Sequence, residues 1–265
     1  MEEKSKSGIM SKNKGKLPDF LVCGFQKCAT SALAQNLDQH PKIQIARTDH
    51  ELSKISNGKE INFFSQGDIS THYMGIDWYK SHFKNDDKCW GEVSPNYSSD
   101  VEIVLQHMKK NNLSSTKFVF SLRNPIYRAF SAYNHYMQLV EDGVKWGNWN
   151  HKKSFIYNIE NSRYTFIRNY FFTIDSYIKC FGKNKIHLII QERLNSDDFQ
   201  MQYDNLFEFL EIRKSSIKNK QCHKRNYDRA MTQKEKDFLY EFFKKDTEKL
   251  FNLIGYEIKE WTEFC

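Results

Sequence analysis

The sequence predicts a single α/β domain with a central, mostly parallel sheet flanked by helices, and three features predict it. Short apolar runs at 20–24, 88–93, 117–122 and 185–190 read as strands. Helical stretches with apolar residues at three- and four-residue spacing stand between them. Strand alternating with helix is the pattern of parallel strands joined by crossover helices that cover both sheet faces. The 265 residues are enough for one such domain, and aromatic residues, 15% of the chain, supply anchors for its core.

Residues 1–16 are rich in Lys, Ser, Asn and Gly with almost no apolar content, so they are expected to be a disordered basic tail, with the folded domain at 17–265. Phe20-Leu21-Val22-Cys23-Gly24 reads as a buried strand ending in a turn. Thr30 to Gln39 follows as a helix with Leu33 and Leu37 one turn apart, closed by His40-Pro41. Residues 60–64 read as a short extended segment, 75–83 as a helix, 88–93 as a strand and 101–109 as a helix. Lys117 to Leu122 is a well-marked strand, and it runs into Arg123-Asn124-Pro125. There Asn124 is suited to cap a helix and Pro125 to be its first residue. Ile126, Phe130, Tyr133, Met137 and Val140 give that helix a buried stripe, while Arg128, Ser131 and His135 share another face. Helices at 151–160 and 163–180, a strand at 185–190, and helices at 196–211 and 232–252 complete the chain.

The net charge of +7 favours anionic partners, but the lysines are interleaved with acids and form no dense stripe, so nucleic acid is not the expected partner. No run approaches the roughly 18 apolar residues of a membrane helix, and the first residues lack a signal-peptide core. A cytoplasmic location is the expectation. The six cysteines show neither CxxC spacing nor pairing with histidine, so they read as reduced thiols, and no metal site is expected.

Chemistry concentrates first in Gly24-Phe25-Gln26-Lys27-Cys28-Ala29-Thr30-Ser31. A loop between a buried strand and a helix start offers backbone N–H groups and the positive end of the helix dipole. Lys27 adds a full charge, and Thr30 and Ser31 add hydroxyls, a set suited to phosphate or phosphosulfate. The pattern GxxxxGK[ST] is absent, and no apolar strand ends in an Asp suited to magnesium, so an ATP-dependent kinase fits poorly.

The segment FLVCGFQKCATSALAQNLDQHPKI resembles the 5′-phosphosulfate loop of sulfotransferases that use 3′-phosphoadenosine-5′-phosphosulfate (PAPS). FVFSLRNPIYRAFSAYNHY resembles the 3′-phosphate site of the same family, an Arg ending a strand and a Ser eight residues later. KEINFF with YMGIDWYKSHF, then WGEVSPNY, then HKRNYDRAMTQKEKDFLYEFFKKDTEKLFNLIGY, agree with the family in order, and the likeness covers about 18–257. In pattern it is similar to heparan sulfate sulfotransferase domains and their bacterial and viral relatives, which implies a P-loop-like sulfotransferase fold. The resemblance implies a donor site made by Gln26, Lys27, Cys28, Ala29, Thr30 and Ser31 with Arg123 and Ser131, closed over by Lys224 and Arg225. It implies catalytic roles for Lys27, on the leaving phosphate, and for Glu60, as general base. PAPS would be the sulfuryl donor and 3′,5′-adenosine diphosphate (PAP) the product.

Two departures stand out. Val93 occupies a position where many family members carry a lysine after the strand glutamate, which leaves Glu92 as a candidate acceptor-orienting group. Cys222 precedes the last basic loop without the close partner cysteine of the heparan sulfate enzymes. Both point toward a soluble microbial or viral relative. The expected acceptor is a carbohydrate hydroxyl or amine, recognised by loops such as 65–75 and 141–150, where Trp146 and Trp149 are suited either to stack on a sugar or to pack internally. A small metabolite, a lipid or a tyrosyl peptide is the alternative acceptor. A nucleotide kinase and a PAPS-binding protein without activity are the alternatives of a different class.

Overall fold

The computed structural model describes residues 15–143, 150, 152–161, 170–220 and 229–265. Among them five strands, β1 (Phe20–Gly24), β2 (Ile43–Ile45), β3 (Cys89–Val93), β4 (Lys117–Leu122) and β5 (Ile186–Ile190), form one sheet in the order β2-β3-β1-β4-β5. Every pairing is parallel. β1 is fully buried, as a five-residue apolar run with a neighbour on each side requires. Strand order reverses at β1, so the crevice beyond its carboxyl end is where an open sheet of this kind takes a ligand.

Alternation along the strands divides the core. Leu21 and Cys23 of β1 with Phe118, Phe120 and Leu122 of β4 face one cluster, which α3 (Val101–Lys110), α6 (Tyr170–Phe181) and α8 (Gln233–Ile254) cover. Phe20, Val22, Val93 and Val119 face the other, covered by α1 (Thr30–Leu37) and α7 (Phe199–Phe209). A third cluster joins α4 (Pro125–Glu141), α5 (Phe155–Asn161) and α8. The short α2 (Ile76–Lys80) lies between β2 and β3 in sequence.

Helix starts follow local chemistry. The Asn124 side chain accepts from Ile126 N at 3.0 Å with Pro125 in the first turn, as the sequence predicts. Thr232 and Glu235 form a reciprocal capping box on α8, and Gly255 ends it at φ 88°. Lys16, expected in the tail, is tied down: its amide bonds to Phe83 O at 3.1 Å and its ammonium pairs with Asp19 at 2.6 Å.

Two expectations change. Residues 60–64, expected to be extended, bend at Asn62 (φ 56°) into a turn at Phe63–Phe64, and their backbone groups bond to side chains. Asn62 N donates to Glu92 Oε1 at 3.1 Å and Ser94 Oγ at 3.0 Å. Thr71 Oγ1 donates to Ile61 O at 2.7 Å, and His72 and His107 donate to Phe63 O and Phe64 O at 3.2 Å each. The second change is β2, three residues that the sequence reading passes over and that exist as a strand through pairing with β3.

Candidate functional site

The loop after β1 is shaped by two non-glycine residues in left-handed backbone, Lys27 at φ 66° and Ala29 at φ 58°. Each costs about 1 kcal/mol, and such strain clusters at ligand sites. Ala29, the N-cap of α1, has no side chain able to accept from the first-turn amides. Gly24 admits the loop because a Cβ there would lie 2.8 Å from Ser98 Cβ. Cys28 is buried, and its carbonyl accepts from Ser121 Oγ of β4 at 2.6 Å. Burial raises the Cys28 thiol pKa, with the charges of Arg128 and Arg123 pulling the other way, so it stays a thiol. Thr30 is buried and Ser31 half-buried at the helix start.

Arg123 extends from the end of β4 to this loop, its Nη1 donating to Lys27 O at 3.4 Å. Tyr170 fixes the Arg123 backbone at both ends: the hydroxyl accepts from Arg123 N at 3.3 Å and donates to Arg123 O at 2.7 Å. Ser131 lies on α4 two turns after Pro125 and is buried. The structure therefore brings Arg123 against the loop on which Lys27 sits, with Ser131 on the helix that β4 feeds. Lys224, Arg225, Trp146, Trp149 and Cys222 lie outside the described residues.

Sequence reading misses a ladder of polar side chains across this end of the sheet. Tyr136 Oη donates to Gln26 Oε1 at 2.8 Å, and Gln26 Nε2 donates in turn to Asn96 Oδ1. Asn96 Nδ2 then donates to Asn62 Oδ1 at 3.1 Å. Asn62, itself at φ 56°, stands two residues after Glu60, so the ladder couples the loop to the segment that carries the expected base. Only Gln26 carries a signal in sequence, through its place in the loop.

Glu60 is part-exposed, and its Oε1 is engaged by the Lys59 ammonium. Ser53 Oγ donates to Glu60 O at 2.6 Å and Glu60 N donates to Ser56 Oγ at 3.2 Å, which fixes the backbone from the 3₁₀ helix Glu51–Ser56. The ion pair with Lys59 is the structural role that competes with base chemistry for this carboxylate.

Glu92 differs from expectation. It is fully buried on β3, and its carboxylate accepts from Tyr79 Oη at 2.6 Å, Tyr97 Oη at 2.9 Å, Ser94 Oγ and Asn62 N. Burial raises its pKa, while those donors pull it down. A group with no exposed surface does not touch an acceptor; Glu92 instead holds the backbone at Asn62. The sequence could not show this, because a glutamate near a strand end reads the same whether it points in or out.

The five described cysteines are free, and among the described residues no group of three or more His, Cys, Asp or Glu is arranged to hold a metal. No helix among them is long and apolar enough to cross a membrane.

A parallel sheet whose central strand ends in a strained loop and a helix start, with an arginine from the neighbouring strand against that loop, defines a protein of the P-loop-like fold class. A family model described as a sulfotransferase domain matches residues 17–251, and the chain belongs to that family. It is similar to the bifunctional heparan sulfate N-deacetylase/N-sulfotransferase 1 of Caenorhabditis briggsae, 31% identical over 129 residues, which are 49% of this chain and 14% of that protein. It is 27% identical over 188 residues to the heparan sulfate glucosamine 3-O-sulfotransferase 5 of Homo sapiens, covering 67% of this chain and 49% of that one. The chain thus spans less than half the length of these relatives. Among solved structures it is similar to a sulfotransferase from Alicyclobacillus acidocaldarius, with a TM-score of 0.67 and 25% identity over 93% of this chain and 99% of that one.

Proposed function

We propose that this chain transfers a sulfuryl group from PAPS to a hydroxyl or amine of a carbohydrate acceptor and releases PAP. The observation that carries the reading is the Gln26–Asn96–Asn62 ladder, which couples the anion-suited loop to the Glu60 segment. A donor and a proton acceptor on one rigid scaffold are what in-line transfer requires.

The residues fit a phosphosulfate nucleotide. The start of α1, where Ala29 brings no side-chain cap, and the left-handed turns at Lys27 and Ala29 present backbone N–H groups suited to an anion. Arg123 and Ser131 would hold the 3′-phosphate, which is remote from the reacting sulfur and so fixes position and selects the nucleotide. Bound there, the donor supplies an activated sulfuryl group. Lys27 neutralises the charge left on the phosphate oxygen when the S–O bond breaks. Glu60 takes the acceptor proton as the new O–S or N–S bond forms. The Lys59 pair engages Oε1 of Glu60, and in this reading the carboxylate takes the proton as that pair gives way or through its other oxygen. A sulfuryl group carries less charge than a phosphoryl group, so lysine and backbone donors suffice for the displacement.

A carbohydrate acceptor is supported by the heparan sulfate names of the relatives, and a metabolite, lipid or tyrosyl peptide is the alternative that an acceptor screen decides. Thermal shifts with PAP, ATP-magnesium and AMP test the donor. Stabilisation by PAP above the other two is expected; stabilisation by ATP-magnesium without PAP would mean a kinase. Transfer from labelled PAPS to heparosan-type oligosaccharides, small alcohols and tyrosyl peptides identifies the acceptor. PAP binding without transfer to any acceptor would mean a binding protein.

A further inference from the structure

Behind the loop lies a cation to which neither the sequence reading nor the proposed reaction gives a role. Arg128 sits on α4 between the Asn124 cap and Ser131, and it is 3% exposed. Its guanidinium carbon stands 5.1 Å from the ring centroid of Phe25, a residue of the loop, and 4.6 Å from that of Tyr170, the first residue of α6. Its Nη2 is buried and has no hydrogen-bond partner among the described residues. A buried guanidinium ordinarily has a carboxylate and a full set of acceptors, because desolvating the charge is costly. Ring faces offset that cost only in part. Asp246 feels the Arg128 charge, yet the two form no ion pair among the described residues. The charge is also felt at Cys28, in the middle of the loop.

We propose that Arg128 is a positioning residue for the donor: stacked on Phe25, it holds the loop 25–29 in its anion-ready shape, and its unbalanced charge is matched when a donor phosphate occupies the loop. This rests on the reading of the loop as the PAPS site. An arginine retained only for packing would stabilise the empty protein. An arginine retained for the anion leaves the empty protein no better off, and its benefit shows on binding. The two roles therefore predict opposite signs for the unliganded chain.

The experiment compares Arg128→Met, Arg128→Gln and Arg128→Lys with the unaltered chain, measuring melting temperature without ligand and PAP affinity by calorimetry. The neutral variants are expected to melt at or above the temperature of the unaltered chain and to bind PAP about tenfold or more weakly. Arg128→Lys, which keeps the charge but not the flat stack, is expected to recover part of that loss. PAP affinity within twofold of the unaltered chain in Arg128→Met would overturn the proposal. So would neutral variants that melt far lower or do not fold, since that is the packing role. If the unaltered chain itself fails to bind PAP, the donor reading falls and this one with it; normal binding with an indifferent Arg128→Met removes this one alone.

Discussion

Asp246 of α8 is a carboxylate whose ionisation works against the fold, and replacing it by asparagine should make the protein more stable at neutral pH. The carboxyl accepts from Tyr170 N at 3.0 Å and so anchors the first turn of α6, from which Tyr170 reaches Arg123 and Cys28. Burial raises its pKa from 3.8 to about 6, against the pull of the Phe171 and Tyr170 amides and of the Arg128 and Lys249 charges. A raised pKa means that the native state holds the proton more tightly than the unfolded chain does. The stabilisation is therefore complete below pH of about 4 and is lost as pH rises to about 6. The difference between the two values corresponds to at most about 3 kcal/mol, less to the extent that water reaches the carboxylate. Asp246→Asn keeps an oxygen for the Tyr170 amide and never ionises. Its stability by urea denaturation should match the parent near pH 4 within about 1 kcal/mol and exceed it at pH 7 by up to about 3 kcal/mol. Carboxylates with lowered pKa, such as Glu235 and Glu263, tilt both proteins the opposite way, so the difference curve isolates Asp246. A flat difference curve, or a variant less stable than its parent at pH 7, refutes the reasoning.

Lys27→Ala should cut transfer by about a thousandfold while PAP affinity falls by no more than about tenfold, read by single turnover and calorimetry; equal losses in both would make Lys27 a binding residue only. Arg123→Ala should weaken PAP binding by about 2 kcal/mol with little change in melting temperature, and unaltered affinity would remove it from the donor site. Asn96→Ala breaks the ladder between Gln26 and Asn62; kcat should fall about 10- to 100-fold with PAP affinity kept, whereas an unchanged kcat would mean that the ladder does not position Glu60. Glu60→Gln should lower kcat about 100-fold or more with donor affinity intact, and an unchanged kcat would point to another base.

Much of the fold is legible because it depends on local chemistry. Lys117–Leu122 is a strand in sequence and structure alike, and the Asn124–Pro125 start of α4 lies where the capping preference puts it. β2 is not legible: Ile43–Ile45 is too short to show a period, and its strand character comes from the ladder with β3. The segment 60–64 contains the apolar residues of a strand but spends its backbone bonds on Glu92, Ser94 and Thr71, which no local pattern announces. That Glu60 pairs with Lys59 follows from their being adjacent in sequence.

The sequence by itself determined which residues make the loop and the strand-end arginine, because a buried strand, a turn and a helix start are written in consecutive positions. It determined the family for the same reason, through ordered motifs. Only the tertiary structure decided which distant groups meet. Tyr136, Gln26, Asn96 and Asn62 come from four separate segments, Glu92 turns inward among two tyrosines, and Arg128 lies clamped between Phe25 and Tyr170. Such contacts follow from how helices pack on a sheet, so they leave no period in the chain. Their energies depend on burial, which a residue acquires only when the fold closes around it.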